Sequence, residues 1–327
     1  MLSENPKILL TGATGFVGGR LLNALLGRGF SVRCMVRSAE RFFKIFPHFE
    51  WTRIVEADLL DPRNVDSALE GIELAYYLVH SMGGHSIHHA ERFAERDRLA
   101  ALNFTRAAEK AGVRRVIYLG GLGELADNLS KHLASRQEVA WILEAGAFKV
   151  TLLRAANIIG AGGAPFEMLR YLVERCPVLF APRWIDTRCQ PIDINDAVAY
   201  LIGCMEKAET AGAEFDIGGP KIITYRQMMK IYADVRGLKR VIVPTPFLTP
   251  GISSIWISLF SPVPSGVTLP LLEGLKNEVI CRENRIREII PLSLTPLEVS
   301  ICTALQETSE GPGRLKPGQS CFLRNVE

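Results

Sequence analysis

The chain has 327 residues, 48% hydrophobic and 22% charged, with 28 Gly and 18 Pro; this is the usage of one large globular domain, or of a domain with a smaller lobe, and it excludes disorder for the bulk of the chain. With 38 Lys+Arg against 35 Asp+Glu the formal net charge is +3, too balanced for a nucleic-acid or membrane-surface binder. The 7 cysteines are scattered and never form a Cys-x-x-Cys pair, which argues against a disulfide framework or a zinc ribbon and suits a reducing, cytoplasmic setting.

The first half alternates between strand-like and helix-like segments. Lys7–Thr11 is a short apolar run, and Phe16 to Arg28 carries apolar residues at helical spacing. Ser31–Arg37 and Thr52–Ala57 read as strands, and Pro62 to Leu69 as a short helix with proline in its first turn. Glu73–Val79 is a fourth strand, followed by a long helix to about Ala111. Arg114–Leu119, a helix near His132–Ala145 and Lys149–Arg154 complete the rhythm. Repeated strand–helix–strand units with short turns predict an α/β, Rossmann-type, doubly wound parallel sheet.

Beyond about residue 155 the alternation loosens. Asn195–Lys207 reads as a helix capped by Asn195 or a neighbouring Asp, Glu214–Ile217 as a strand, and Thr224–Val235 as a helix with Thr224 at its N-cap. The expected organisation is a cofactor-binding core over 1–160, the remaining strands and a small substrate lobe over 161–306, and a mobile tail over 307–327, rich in Gly, Pro, Ser and charge. The N-terminus lacks a signal-peptide pattern. No uninterrupted apolar run is long enough to span a bilayer; Val241 to Val263 comes nearest and is broken by Pro244, Pro246, Pro250 and Pro262.

The sharpest motif is T-G-A-T-G-F-V-G over 11–18, directly after the first strand and opening the first helix. In that context a Gly-x-x-Gly-x-x-Gly turn cradles a dinucleotide pyrophosphate. Gly12 permits the tight turn, Gly15 removes a Cβ from the phosphate's path, and Gly18 allows close packing. Thr14, Phe16 and Val17 belong to the same turn and helix N-terminus. At the end of the second strand stand Arg33 and Arg37, then Ser38, with no carboxylate until Glu40. The Arg37–Ser38 pair fits a 2′-phosphate clamp, so NADP(H) is the expected cofactor. Asp58–Leu59, after the third strand, is placed to meet the adenine, with Asp61 free to cap the helix begun at Pro62.

With Leu153–Asn157 after the sixth strand, these residues resemble the extended and atypical short-chain dehydrogenase/reductase superfamily over about residues 7–240. Segments 77–82 (YLVHSM), 97–104, 117–124, 130–139 and 188–197 are similar to a bacterial NAD(P)H-binding subgroup termed nucleoside-diphosphate-sugar-epimerase-like. That subgroup is itself similar to NmrA-like regulators and to the NAD(P)H-binding accessory subunit of respiratory complex I. The resemblance implies a Rossmann-type fold and a bound dinucleotide. It also implies a Ser, Tyr and Lys that this chain lacks. The serine position falls in Leu119-Gly120-Gly121, and the Tyr-x-x-x-Lys position on His132-Leu133-Ala134-Ser135-Arg136.

His132 and Arg136 keep the i, i+4 spacing that puts both on one helix face. Either His132 acts as general acid or base beside Arg136, which holds the ribose or a substrate anion, or the pair is a remnant in a protein that binds NADP(H) without turnover. His80 and Ser81 are expected near the phosphates or nicotinamide ribose, and Asn157 at the nicotinamide side. Tyr118 reads as core, Ser135 as helix surface, and Asp97 as a partner of Arg96 or Arg98. The segment His80–His89 holds four of the 6 histidines; with Gly83 and Gly84 among them and no cysteine nearby, a lid is expected rather than a metal site. Arg183, Trp184 and Arg188 border the expected cleft, and Ile252–Phe260 reads as a buried helix of the lobe. The sequence thus predicts an oxidoreductase or epimerase-type enzyme acting on a small molecule. The rival is a dinucleotide-binding sensor or scaffold, and a homo-oligomer or larger complex fits either.

Overall fold

The computed structural model describes residues 2, 6–50, 53–81, 93–123, 129–245 and 265–310, without the side chains of 183, 184, 265–269, 309 and 310. The first six strands are β1 (Ile8–Thr11), β2 (Val32–Val36), β3 (Ile54–Glu56), β4 (Leu74–Tyr77), β5 (Arg115–Gly121) and β6 (Lys149–Ala155). They are followed by β7 (Ile158–Ile159), β8 (Val178–Ala181), β9 (Arg188–Cys189), β10 (Ile192–Asp193), β11 (Glu214–Ile217), β12 (Ile223–Thr224) and β13 (Val241–Pro244).

Seven of them form one parallel sheet in the order β11-β6-β5-β4-β1-β2-β3. The order reverses at β1, and the ligand crevice of such a sheet lies there, beyond the carboxyl ends of the strands. Strand periodicity sends Ile8 and Leu10 to one face and Leu9 to the other. On the first face lie α1 (Phe16–Gly27), α2 (Ala39–Ile45) and α7 (Ile194–Glu206), packed through Leu21, Leu25, Phe42 and Leu201. On the second lie α3 (Pro62–Leu69), α4 (Phe93–Lys110) and α5 (Lys131–Glu144), packed through Val65, Phe104 and Val139. The fold is therefore the Rossmann-type α/β sheet that the alternation predicts.

Helix starts follow local chemistry. Asp61 accepts from the Arg63 N–H at the head of α3, with Pro62 in the first turn. Asp193, the neighbour of Asn195, caps α7. Thr224 and Gln227 form a reciprocal capping box on α8 (Tyr225–Val235). The lobe is a separate apolar cluster: Phe166, Leu169 and Val173 of α6 (Ala164–Arg175) meet Tyr232 of α8 and Ile301 of the last helix. That cluster also takes in Leu272 of α9 (Ser265–Gly274). After α10 (Arg285–Ile289), the helix α11 (Leu297–Glu310) runs past Glu307, the first residue of the expected tail; Glu307 pairs with Arg20 of α1 at 2.7 Å. Residues 311–327, the Ile252–Phe260 segment and the proposed lid beyond Ser81 lie outside the described residues. None of the described helices is long and apolar enough to cross a membrane.

Candidate active site

A cavity of about 760 Å³ runs from the glycine turn after β1, across the carboxyl ends of β4 to β6, into the lobe. At the turn, Gly12 has φ +73°, and a Cβ there would lie 2.6 Å from the Leu78 carbonyl oxygen. A Cβ on Gly18 would lie 2.2 Å from the Gly12 carbonyl oxygen. No side chain caps α1 at Gly15, so the first-turn N–H groups are left for an anion, as the dinucleotide cradle requires. Gly12, Gly15, Phe16, Val17 and Gly18 all line the cavity, while Thr14 is exposed. The Phe16 ring lies against the 160–163 loop, where a Cβ on Gly163 would come within 2.8 Å of it.

The adenine end is more mixed. Arg37 is exposed at the tip of β2, whereas Arg33 donates to the Ala68 and Glu70 carbonyls. Ser38 caps α2, its hydroxyl accepting from the Arg41 N–H. Glu56, at the end of β3, reaches the same tip and accepts from the Ala39 N–H at 2.9 Å. Asp58 folds onto its own turn, accepting from the Leu60 N–H, and Leu59 is buried.

Beyond β4 and β5 three elements bring together groups that are far apart in sequence. His80 follows β4, Asp97 lies on α4 and His132 on the first turn of α5. His80 Nδ1 bonds Asp97 Oδ2 at 2.5 Å, and His80 Nε2 lies 3.2 Å from His132 Nδ1. The Ser81 N–H donates to the other Asp97 oxygen at 2.7 Å. A carboxylate only accepts, so His80 donates from Nδ1 and accepts at Nε2. His132 then donates from Nδ1, and its Nε2 is left as a base on a residue that lines the cavity.

The electrostatics agree with a neutral imidazole pair. Burial, then His80 and Arg136, push His132 down to about 3. Burial also lowers His80, against the opposing pull of its Asp97 bond. Burial raises Asp97, but the bonds from His80 and Ser81 together carry its carboxyl below the usual value.

Arg136 is committed elsewhere than expected. Its guanidinium donates to the Leu119 and Val79 carbonyls and stacks 4.7 Å over the Tyr118 ring, while the Tyr118 hydroxyl donates to the Arg136 carbonyl. It therefore braces β4 and β5 against α5 at the cavity wall. At the serine position a Cβ on Gly121 would come within 2.9 Å of the Leu133 side chain; Leu133 fills the space that a hydroxyl would need. Asn157 lines the cavity and is hydrogen-bonded with Tyr225.

Two readings from the sequence are corrected. Asp97 is 3% exposed and pairs with His80 and Ser81, not with Arg96 or Arg98. Its phase on α4, with Phe93, Ala100, Ala101 and Phe104 on the buried stripe, was the signal: a carboxylate on an apolar stripe needs a buried partner. Ser135 is buried on α5 rather than on its surface. Arg188 is exposed and pairs with Glu278 at 2.6 Å, while the side chains of Arg183 and Trp184 lie outside the described residues.

Residues 12–161 match a family model described as NAD(P)H-binding. The sheet and its lobe superpose on a nucleoside-diphosphate-sugar epimerase of Staphylococcus aureus with a TM-score of 0.72 at 16% identity, over 90% of this chain and 99% of that one. They match the Citrobacter sp. triphenylmethane reductase complexed with NADP(H) with a TM-score of 0.69 at 19% identity, over 91% and 99%. In sequence the chain is 28% identical over 257 residues to a ceramide reductase of Caulobacter vibrioides, 77% of this chain and 78% of the relative. The Rossmann-type fold that the sequence resemblance implies is the fold of these neighbours.

Proposed function

We propose that the protein is an NADP(H)-dependent oxidoreductase in which Asp97, His80 and His132 replace the serine, tyrosine and lysine of the ordinary short-chain enzymes. The observation that carries this reading is the run of hydrogen bonds from a buried carboxylate through two imidazoles, the second on a residue that lines the same cavity as the glycine turn. The similarity to two reductases supports it.

With the dinucleotide's pyrophosphate held at the glycine turn, its nicotinamide would supply or accept a hydride. His132 handles the proton. In the oxidation direction a substrate hydroxyl donates to His132 Nε2; as that proton transfers, the Nδ1 proton passes to His80 Nε2 and the His80 Nδ1 proton to Asp97. The positive charge is thereby delivered to the carboxylate instead of resting on a buried imidazole. Reduction runs the same shifts in reverse, from a relay that has taken up one proton from solvent. Arg136 acts as a positioning residue, holding the α5 turn that carries His132 against the carbonyls of Leu119 and Val79. Exposed Arg37 supports NADP(H) over NAD(H), by a charge-assisted bond to the 2′-phosphate.

The experiment is His132→Ala. Turnover of a reducible substrate falls by about 10²–10⁴ while NADPH affinity is unchanged. Undiminished turnover in this variant contradicts the assignment. Tight NADPH binding with no turnover across a broad panel of carbonyl compounds favours the sensor or scaffold reading, for which the missing tyrosine and the Gly120–Gly121 pair speak.

A further inference from the structure

The cavity does not end at the cofactor. Past His132 and Asn157 it enters the lobe, where its wall is Leu169 and Leu172 of α6, Leu179 of β8, Ile185, Met228 of α8 and Leu272 of α9. All six side chains are apolar, and Met228 adapts its shape to an irregular ligand. Among the described lining residues the one Lys or Arg is Arg136, and its donations go to backbone carbonyls. A sugar nucleotide needs cations for a second pyrophosphate; the lobe half of the described wall offers no Lys or Arg. An aliphatic chain needs what is there, a continuous apolar wall out of water.

We infer that the substrate is a long-chain aliphatic ketone, or the matching secondary alcohol, with its oxygen at His132 and its chain in the lobe. The inference rests on the oxidoreductase reading above. In the reducing direction the carbonyl carbon gains the hydride with its electron pair, the C=O π bond breaks, and the oxygen takes one proton from His132 Nε2, a proton that must first enter the relay from solvent because that nitrogen is bare in the resting site. The nicotinamide is oxidised and the ketone reduced.

The test uses the full chain with NADPH bound and a series of 2-alkanones from 2-heptanone to 2-tridecanone. Binding is read by displacement of cis-parinaric acid, a fluorescent long-chain polyene, and NADPH consumption is followed separately. Each added pair of methylenes is expected to tighten binding about tenfold, while UDP-glucose displaces nothing. Met228→Lys is expected to weaken 2-tridecanone about tenfold and leave 2-heptanone and NADPH binding unchanged. If that variant does not fold, the wild-type series decides alone. Affinity independent of chain length, or displacement of the probe by UDP-glucose, overturns the inference. Chain-dependent binding without NADPH consumption upholds the apolar site and overturns the oxidoreductase reading, so the two failures are distinguishable.

Discussion

At the cofactor end of the cavity the backbone does the shaping, whereas at the proton-handling end three side chains from separate elements do it. Gly12, Gly15 and Gly18 lie within one turn and one helix start, and each is tested by the space a single Cβ would occupy. His80, Asp97 and His132 reach one another across β4, α4 and α5, and each holds its role only while the others are in place. At Gly12 and Gly18 the first region has no room for an added atom. The second tolerates no lost proton. Changes at the glycine turn should therefore act on binding, and changes in the relay on the reaction.

The largest expected contrast comes from His132→Ala, which lowers turnover by orders of magnitude at unchanged NADPH affinity, as stated above. Gly12→Ala is the mirror image. With φ at +73° and a carbonyl 2.6 Å from the new Cβ, cofactor affinity should fall about 100-fold by calorimetry, the loss matching 2–3 kcal/mol of strain. Equal effects of both variants on affinity and turnover would erase the distinction between the two ends. Asp97→Asn keeps the shape but removes the acceptor-only group that orients His80. Steady-state kinetics should show a smaller kcat loss than His132→Ala and an altered pH profile, with KM for NADPH unchanged.

A weaker effect is expected in stability against pH. His132 is neutral in the folded protein, with its pKa near 3, yet protonates near 6.5 in the unfolded chain. The unfolded state therefore takes up the proton first, and stability falls as pH drops below about 6.5. Denaturant midpoints measured between neutral pH and pH 4 should show this decline, flattened in His132→Gln. The smallest effect is at the adenine end: Arg37→Ala should reduce the NADPH-over-NADH preference about tenfold. Glu56→Gln, which removes a carboxylate from the same tip, should raise it. An unchanged preference in Arg37→Ala would remove the basis for NADP(H).

What was legible in the sequence tracks the range of the interactions. The glycine turn, the Asp61–Pro62 helix start and the Thr224 cap are set by residues a few positions apart, so spacing alone reveals them. His132 and Arg136 were paired by helical spacing, but their partners lie on other elements: His132 bonds His80, and Arg136 bonds the carbonyls of Val79 and Leu119. Asp97 was assigned to neighbouring arginines because they adjoin it in sequence; its helical phase points the other way, inward. Glu56 was missed at the β2 tip because β2–β3 pairing, not sequence distance, brings it there. The apolar half of the cavity draws on residues from 169 to 272, where the regular alternation had already faded.

The relay itself can be observed without a substrate, by nitrogen-15 NMR of protein labelled at histidine. At neutral pH His80 and His132 are both predicted to be neutral, protonated at Nδ1 and bare at Nε2. A His132 that carries its proton at Nε2, or that is an imidazolium at neutral pH, would contradict the proton path proposed for this site.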